Sequence, residues 1–416
     1  MTLEDRSDLV LEFARVLFVN GQSTDQVLSS TERFGRALGL CAQIFPRWGE
    51  LQLQIQDVNQ KLFFVVAADP TGVAMGRVSS AMQVMEDLDQ GLLAPQAAKE
   101  KIRTISQTPP MPTWLFTLAA AAGAAGLAVI FGVQHLSAAI LISLSAAAGA
   151  LLRRVLAQYS ANVFVQPFGA ALLAGIIGAL AVRYQLSSSL RLIAVCPCMI
   201  LVPGPPLLNG MLDLSKGRIH LGTARIIYAG LVVGAISAGL LLGLALLKAS
   251  LPVEEASRSA PLWLDVIAAG VAVAAYSIFF STPLRMLAWP VPVGMLAHAL
   301  RWQVLTVPGS NAAVGALVAC LFVGLILTPV ARRRHMPFAA IAFASVVSMI
   351  PGVFLFRMAS GFVQLAVGQN TTLPLITETT ADGMTAVSIV LAMSVGLIAP
   401  KMVIDRIGDR SIQTKP

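Results

Sequence analysis

The chain has 416 residues, of which 56% are hydrophobic and only 12% charged, and its mean hydropathy is +0.77. A soluble chain carries roughly a quarter charged residues, so the composition excludes an ordinary soluble globular protein and predicts a polytopic membrane protein. Charge is uneven: residues 1–110 carry a net −3 and residues 111–416 a net +11. The basic excess therefore belongs to loops between apolar spans beside a lipid bilayer, and no nucleic-acid partner is implied. The first residues, MTLEDRSDLV, are acidic and lack the apolar core of a signal peptide.

In chain order, Leu9, Phe13, Val16 and Leu17 repeat at helical spacing up to the Asn20-Gly21 stop. Ser23 with Gln26 reads as a capping box opening a second helix, which ends at Gly39. Three short β-rich runs follow at 40–45, 51–56 and 62–67, then helices over Met75–Leu88 and Pro95–Ile105. Residues 1–112 thus read as a small α+β cytosolic domain closed by the stiff Thr108–Pro112 linker. All four histidines (135, 220, 298, 335) lie outside it, which leaves it no histidine base and favours a structural or regulatory module over an enzyme.

Apolar spans follow near 114–133, 137–152, 163–182, 191–208 and 226–247, and then near 262–282, 285–300, 311–330, 339–357 and 384–400. Most approach the roughly 20 residues that cross a bilayer. The two sets repeat at a shift of 148 residues: Pro203-Gly204 recurs as Pro351-Gly352, Arg153 as Arg301 and Phe131 as Phe279. Five spans per half is an odd number, so the expected fold is mostly α, with ten transmembrane helices in two inverted five-helix repeats (113–250 and 251–416). With the N-terminal domain inside, inner segments hold thirteen Lys/Arg and outer segments six (Arg183, Arg191, Lys248, Arg258, Arg301, Arg357). The inner set, which includes Arg410 and Lys415, places both termini in the cytoplasm and the protein in the inner membrane. Glycines at 123/126, 175/178, 230/234 and 239/243 are read as helix-packing positions.

The stretch Cys196–Leu214, CPCMILVPGPPLLNGMLDL, holds four prolines in an apolar run. Proline removes a donor and clashes with the preceding turn, so the helix must break there. Backbone freed inside a membrane is tolerated only in protein or at a water-filled cavity. Paired breaks in inverted repeats are a recurring plan of secondary transporters. Cys196 and Cys198 lie without further ligands and read as buried thiols, and no metal or cofactor is expected.

Three segments carry a family resemblance: FARVLFVNGQSTDQV, PCMILVPGPPLLNGMLDL and SMIPGVFLFRMASGF. With them the chain resembles the threonine/serine exporter family over nearly its whole length. The pattern departs from the family at Thr24–Val27, where the family carries Arg and Glu. The resemblance implies proton-driven export of threonine and serine, with a dicarboxylate such as succinate as the alternative through related split members.

The substrate path is expected at the two breaks. Asp213 is the only acidic residue in 114–247, and an ionisable group beside a broken helix is a functional candidate. It would bind the substrate ammonium or the coupling proton, with Asn209 one turn earlier. Arg357, which takes the place of Asn209 in the second half, would hold a carboxylate with the backbone donors after Pro203-Gly204 and Pro351-Gly352. Asn162, Gln166, Ser310 and Asn311 would line the path. The competing roles are an interfacial Asp213, a snorkelling Arg357 and caps at Ser310 and Asn311. A channel for small solutes is the other function class. No HExxH or GxSxG supports an enzyme. The partners implied are a small-molecule substrate and the bilayer, and a homo-oligomer is compatible with the sequence.

Overall fold

A computed structural model describes residues 1–56, 61–133, 135–184, 190–249, 260–367 and 372–413, apart from the side chains of 190, 191 and 408–413. Arg258 and Lys415, and the side chains of Arg191 and Arg410, which entered the charge count, lie outside the described residues.

Helix α1 (Leu3–Val19) opens on a capping box between Thr2 and Asp5 and stops at Asn20, where Gly21 takes the left-handed φ of 92°. Helix α2 (Thr24–Ala37) follows. Strands β1 (Cys41–Arg47), β2 (Gly49–Gln56) and β3 (Lys61–Ala68) form an antiparallel sheet in that order, with Leu53 opposite Ile44 and Phe64. On β2 the apolar Leu51, Leu53 and Ile55 point inward and are fully buried, as period-two patterning requires. Helices α3 (Met75–Asp89) and α4 (Pro95–Gln107) complete the unit. The predicted capping box at Ser23 is absent: its hydroxyl makes no cap bond, and its amide donates to the Gln22 side chain at 2.9 Å. The reason lies further along the chain, because the flanking Gly21 and Thr24 bond to a distant helix described below.

The remainder is helical. Helices α5 (Thr113–Ile130), α6 (Leu136–Tyr159), α7 (Val165–Arg183), α10 (Ile219–Ala245), α11 (Leu262–Phe279), α13 (Ala312–Arg334) and α16 (Leu373–Gln413) supply seven spans long and apolar enough to cross a membrane. Two further pairs are bent: α8 (Leu190–Met199) with α9 (Gly204–Ser215), at 56°, and α14 (Phe338–Val346, ending in a 3₁₀ turn to Met349) with α15 (Gly352–Val367), at 66°. Among the described residues this makes up to nine spans, not the ten expected. The missing one is α12, shortened to Pro290–Leu305 because Pro283 and Pro290 split off a 3₁₀ turn at Leu284–Met286. Its 16 residues reach only about 24 Å at 1.5 Å per residue.

The two breaks touch each other. A Cβ on Gly204 would lie inside the ring of Phe343 from α14, and a Cβ on Gly352 would come within 2.8 Å of Met199 from α8. Each break is thus packed by the helix that leads into the other. The α5–α11 pair approaches closely at Gly126, whose Cβ would lie 2.8 Å from the Ala268 carbonyl, and Gly239 and Gly243 admit the α7 backbone to α10. Gly230 and Gly234 are expected to pack likewise, but a Cβ at either would meet no other helix within 4 Å among the described residues.

The N-terminal unit docks on this helical body. The first amides of α3, at Met75 and Gly76, donate to the carbonyls of Phe280 (3.0 Å) and Ser281 (3.2 Å), the two residues that follow α11. A helix start without a side-chain cap thus has two of its orphan donors satisfied by the turn that follows another helix. Trp48, in the β1–β2 turn, packs 5.3 Å from Tyr228 of α10.

The Gly204–Phe343 contact predicts that Gly204→Ala destabilises the protein by about 1–3 kcal/mol through overpacking. Adding Phe343→Leu should restore most of the thermal midpoint in detergent. A Gly204→Ala protein that melts like the wild type would show that the breaks do not meet.

Candidate functional site

The first break is built by its prolines. Helix α8 ends after Pro197, Pro203 adopts φ −82° and ψ 69°, and Pro205 and Pro206 occupy the first turn of α9. There a missing N–H costs nothing, since those amides have no helical partner. Helix α9 therefore restarts immediately, with two different faces.

One face holds Asn209 and Asp213, one turn apart and buried to 3% and 1% exposure. Both point into the N-terminal unit. Asn209 donates to the Gly21 carbonyl at 3.1 Å, and Thr24 donates its hydroxyl to Asp213 at 3.1 Å. Arg225 of α10 brings Nη1 to 3.1 Å from the same carboxylate, and Arg218 lies 3.4 Å from its other oxygen. Arg218 also pairs with Asp25 at 2.5 Å. Two guanidiniums and a hydroxyl thus compensate one buried carboxylate. Two of the sequence segments singled out earlier, NGQST and LLNGMLD, are bound to each other here.

The opposite face of the break lines a cavity of about 340 Å³, at the small end of the usual range for small-molecule sites. Pro203, Pro205 and Pro206 meet Arg153 and Arg154 of α6, Gln166 of α7, Tyr228 of α10 and Phe279 and Phe280 at the end of α11. Thr71, Gly72 and Pro110 form its rim toward the N-terminal unit. Arg154 spends one amino group on the Met111 carbonyl, at 2.8 Å. Arg153 stands 5.0 Å over the Phe279 ring, and its buried Nε and Nη1 have no hydrogen-bond partner among the described residues. Burying a guanidinium without an anion is costly, and its planar fork matches a carboxylate.

The structure thus joins Pro203 and Gln166 around one cavity, buries Gly204 against Phe343, and turns Asn209 and Asp213 into the N-terminal unit. Arg357 is elsewhere: its Nε lies 2.9 Å from Asp382 of α16, beside Ser360, Gln364 and Glu378. Asp213 and Arg357 therefore do not face each other across a substrate. Pro351 and Gly352 are buried, Gly352 against Met199 of α8. Asn311 caps α13 by accepting from Val314, Ser310 bonds within its turn, and Asn162 accepts from Phe164 at 2.9 Å before α7. Arg153 was read as an inner-loop charge. It lies directly after the apolar run of 137–152 but still within helix α6, six residues before its end at Tyr159.

Removing the Asp213 carboxylate would leave Arg225 buried without its anion. Asp213→Ala should cost about 3–5 kcal/mol and loosen the N-terminal unit, read as a lower thermal midpoint and faster protease cleavage at 108–112. If both match the wild type, the contact is incidental.

A family model described as a putative threonine/serine exporter matches residues 8–247, and a second, described as threonine/serine exporter, ThrE, matches residues 265–403. A probable threonine/serine exporter of Mycobacterium tuberculosis (strain ATCC 25618 / H37Rv) is 22% identical over 377 residues, covering 85% of this chain and 69% of the relative. No solved structure matches the chain. The matched families are exporters, so the chain is a multi-pass membrane transporter and no enzyme. It belongs to the threonine/serine exporter family.

Proposed function

We propose that this chain is a proton-coupled antiporter that exports threonine, serine and amino acids of similar size, and that the substrate carboxylate binds Arg153 beside the Pro203-Gly204 break. The unpaired guanidinium in a small cavity carries this reading. The Phe279, Phe280 and Tyr228 rings and the carbonyls ending α8 offer the substrate ammonium a π-face and acceptors. Arg154 lines the same cavity and is held by the Met111 carbonyl, so Arg153 is the guanidinium assigned to the substrate carboxylate.

In this reading the domains are 1–112, 113–250 and 251–416. The two membrane halves are inverted five-helix repeats, and α12 is the short tenth span. The reciprocal packing of Gly204 on Phe343 and of Gly352 on Met199 supports such a pseudo-symmetry. With both termini in the cytoplasm of an inner-membrane protein, the cavity rim at Thr71–Val73 and Pro110 makes this an inward-open arrangement. The lock on Asp213 then anchors the cytosolic unit at the mouth of the path, and Asp213 holds the domain in place without carrying substrate.

The test is efflux of labelled threonine, serine and succinate from loaded proteoliposomes, with and without an imposed pH gradient. Arg153→Gln removes a charge-assisted contact and should lower threonine efflux roughly 10- to 100-fold. Arg153→Lys should recover only part of it, for want of a bidentate fork. Wild-type efflux in Arg153→Gln would rule this site out, and faster efflux of succinate than of threonine would overturn the substrate class.

A further inference from the structure

The second half contains a buried polar relay that neither the substrate cavity nor the Asp213 lock uses. His298 on α12 is fully buried and brings Nδ1 to 2.9 Å from Asp265 in the first turn of α11. Its Nε2 is hydrogen-bonded to the hydroxyl of Ser348, in the 3₁₀ turn directly before the Pro351 break. Asp265 and Ser348 are themselves buried, to 5% and 1% exposure. The other charged or titratable groups nearby are few. Arg301, one turn along α12, is within electrostatic reach of both Asp265 and His298, and the Cys320 thiol of α13 faces Arg301. On α11 the Tyr276 hydroxyl is taken up by the Met199 carbonyl at 2.7 Å, and α14 carries no charged side chain.

A carboxylate, an imidazole and a hydroxyl in a row can take up one further proton while both ring nitrogens stay hydrogen-bonded. With the ring neutral, Nδ1–H donates to Asp265 and the Ser348 hydroxyl donates to Nε2. A proton arriving at the Ser348 oxygen releases the hydroxyl's own proton to Nε2. The ring is then a cation facing the Asp265 carboxylate, and its Nε2–H donates back to Ser348. The hydroxyl has reversed its role at the point where the second span is broken, so protonation acts on the break itself. Position fits the task too. Asp265 lies fifteen residues before Phe280, about 22 Å along a helix. The relay therefore sits toward the end of α11 opposite the one that docks the N-terminal unit and closes the cavity.

We propose that Asp265, His298 and Ser348 form the site that takes up the driving proton, loaded from the side of the membrane opposite the N-terminal unit. The proposal rests on the exporter reading and adds the location of the coupling ion. A buried histidine bonded to a carboxylate inside a membrane domain is the kind of group that carries a proton across.

Three measurements on reconstituted protein separate the possibilities: threonine–threonine exchange, efflux driven by an imposed pH gradient, and threonine-dependent proton entry followed with a trapped pH dye. The wild type should show all three. His298→Gln should keep exchange within about threefold and lose nearly all gradient-driven efflux and proton entry. Asp265→Asn removes the anion that stabilises the protonated ring, so the pH midpoint of its transport should fall by about 1–3 units. Undiminished proton entry in His298→Gln overturns the site, and so does an unmoved midpoint in Asp265→Asn. If His298→Gln fails to elute as folded protein, the Asp265→Asn midpoint decides alone. A wild type that exchanges threonine without proton entry sinks the relay together with the proton coupling, and leaves threonine export through the Arg153 cavity standing. A wild type that does not exchange threonine sinks the exporter reading first.

Discussion

The contact on which this molecule depends is the crossing of two broken helices at their Pro-Gly breaks. Gly204 lies under Phe343, and Gly352 lies against Met199. Proline sets where each helix must stop, because it cannot donate and its ring clashes with the turn before it. Glycine sets how near the other chain comes, because a single Cβ would occupy the space of the partner's side chain. Inside a bilayer such interruptions survive only where protein or a cavity covers the freed backbone. Here each break is covered by the other.

That crossing explains why α9 has two functions at once. Its start faces the 340 Å³ cavity, and its end carries Asn209 and Asp213 into the N-terminal unit. Any movement of the break is therefore felt by the loop at Gly21–Thr24. Any movement of that unit is felt at the cavity rim as well, through Met75 and Gly76 on the end of α11. The α+β unit is held by polar contacts at several points, and the Asp213–Arg225 pair beside Thr24 is shielded from water.

The two halves share a plan but have diverged in chemistry. In the first, Arg153 stands over aromatic rings with unfilled hydrogen-bonding capacity. In the second, Arg301 occupies the corresponding place, yet the groups around it are Asp265, His298 and Cys320. One half holds an uncompensated cation in contact with a cavity, and the other holds a compensated cluster within the packed core.

Much of the architecture was legible in the residues. Apolar runs marked the spans, Gly21 and Gly39 marked the helix ends, and the alternation in 51–56 marked the sheet, since these follow from local periodicity. The prolines located both breaks, and the 148-residue shift paired them. The sequence could not say which way a polar face points. Asp213 beside a break reads the same whether it faces a substrate or a neighbouring domain, and only the docking of Thr24, Arg218 and Arg225 around it decided the matter. The Asp265–His298–Ser348 row was invisible for the same reason, because its members lie 33 and 50 residues apart. Local chemistry determines what each segment is, while burial and partnership, which decide what a charge does, arise only when distant helices meet.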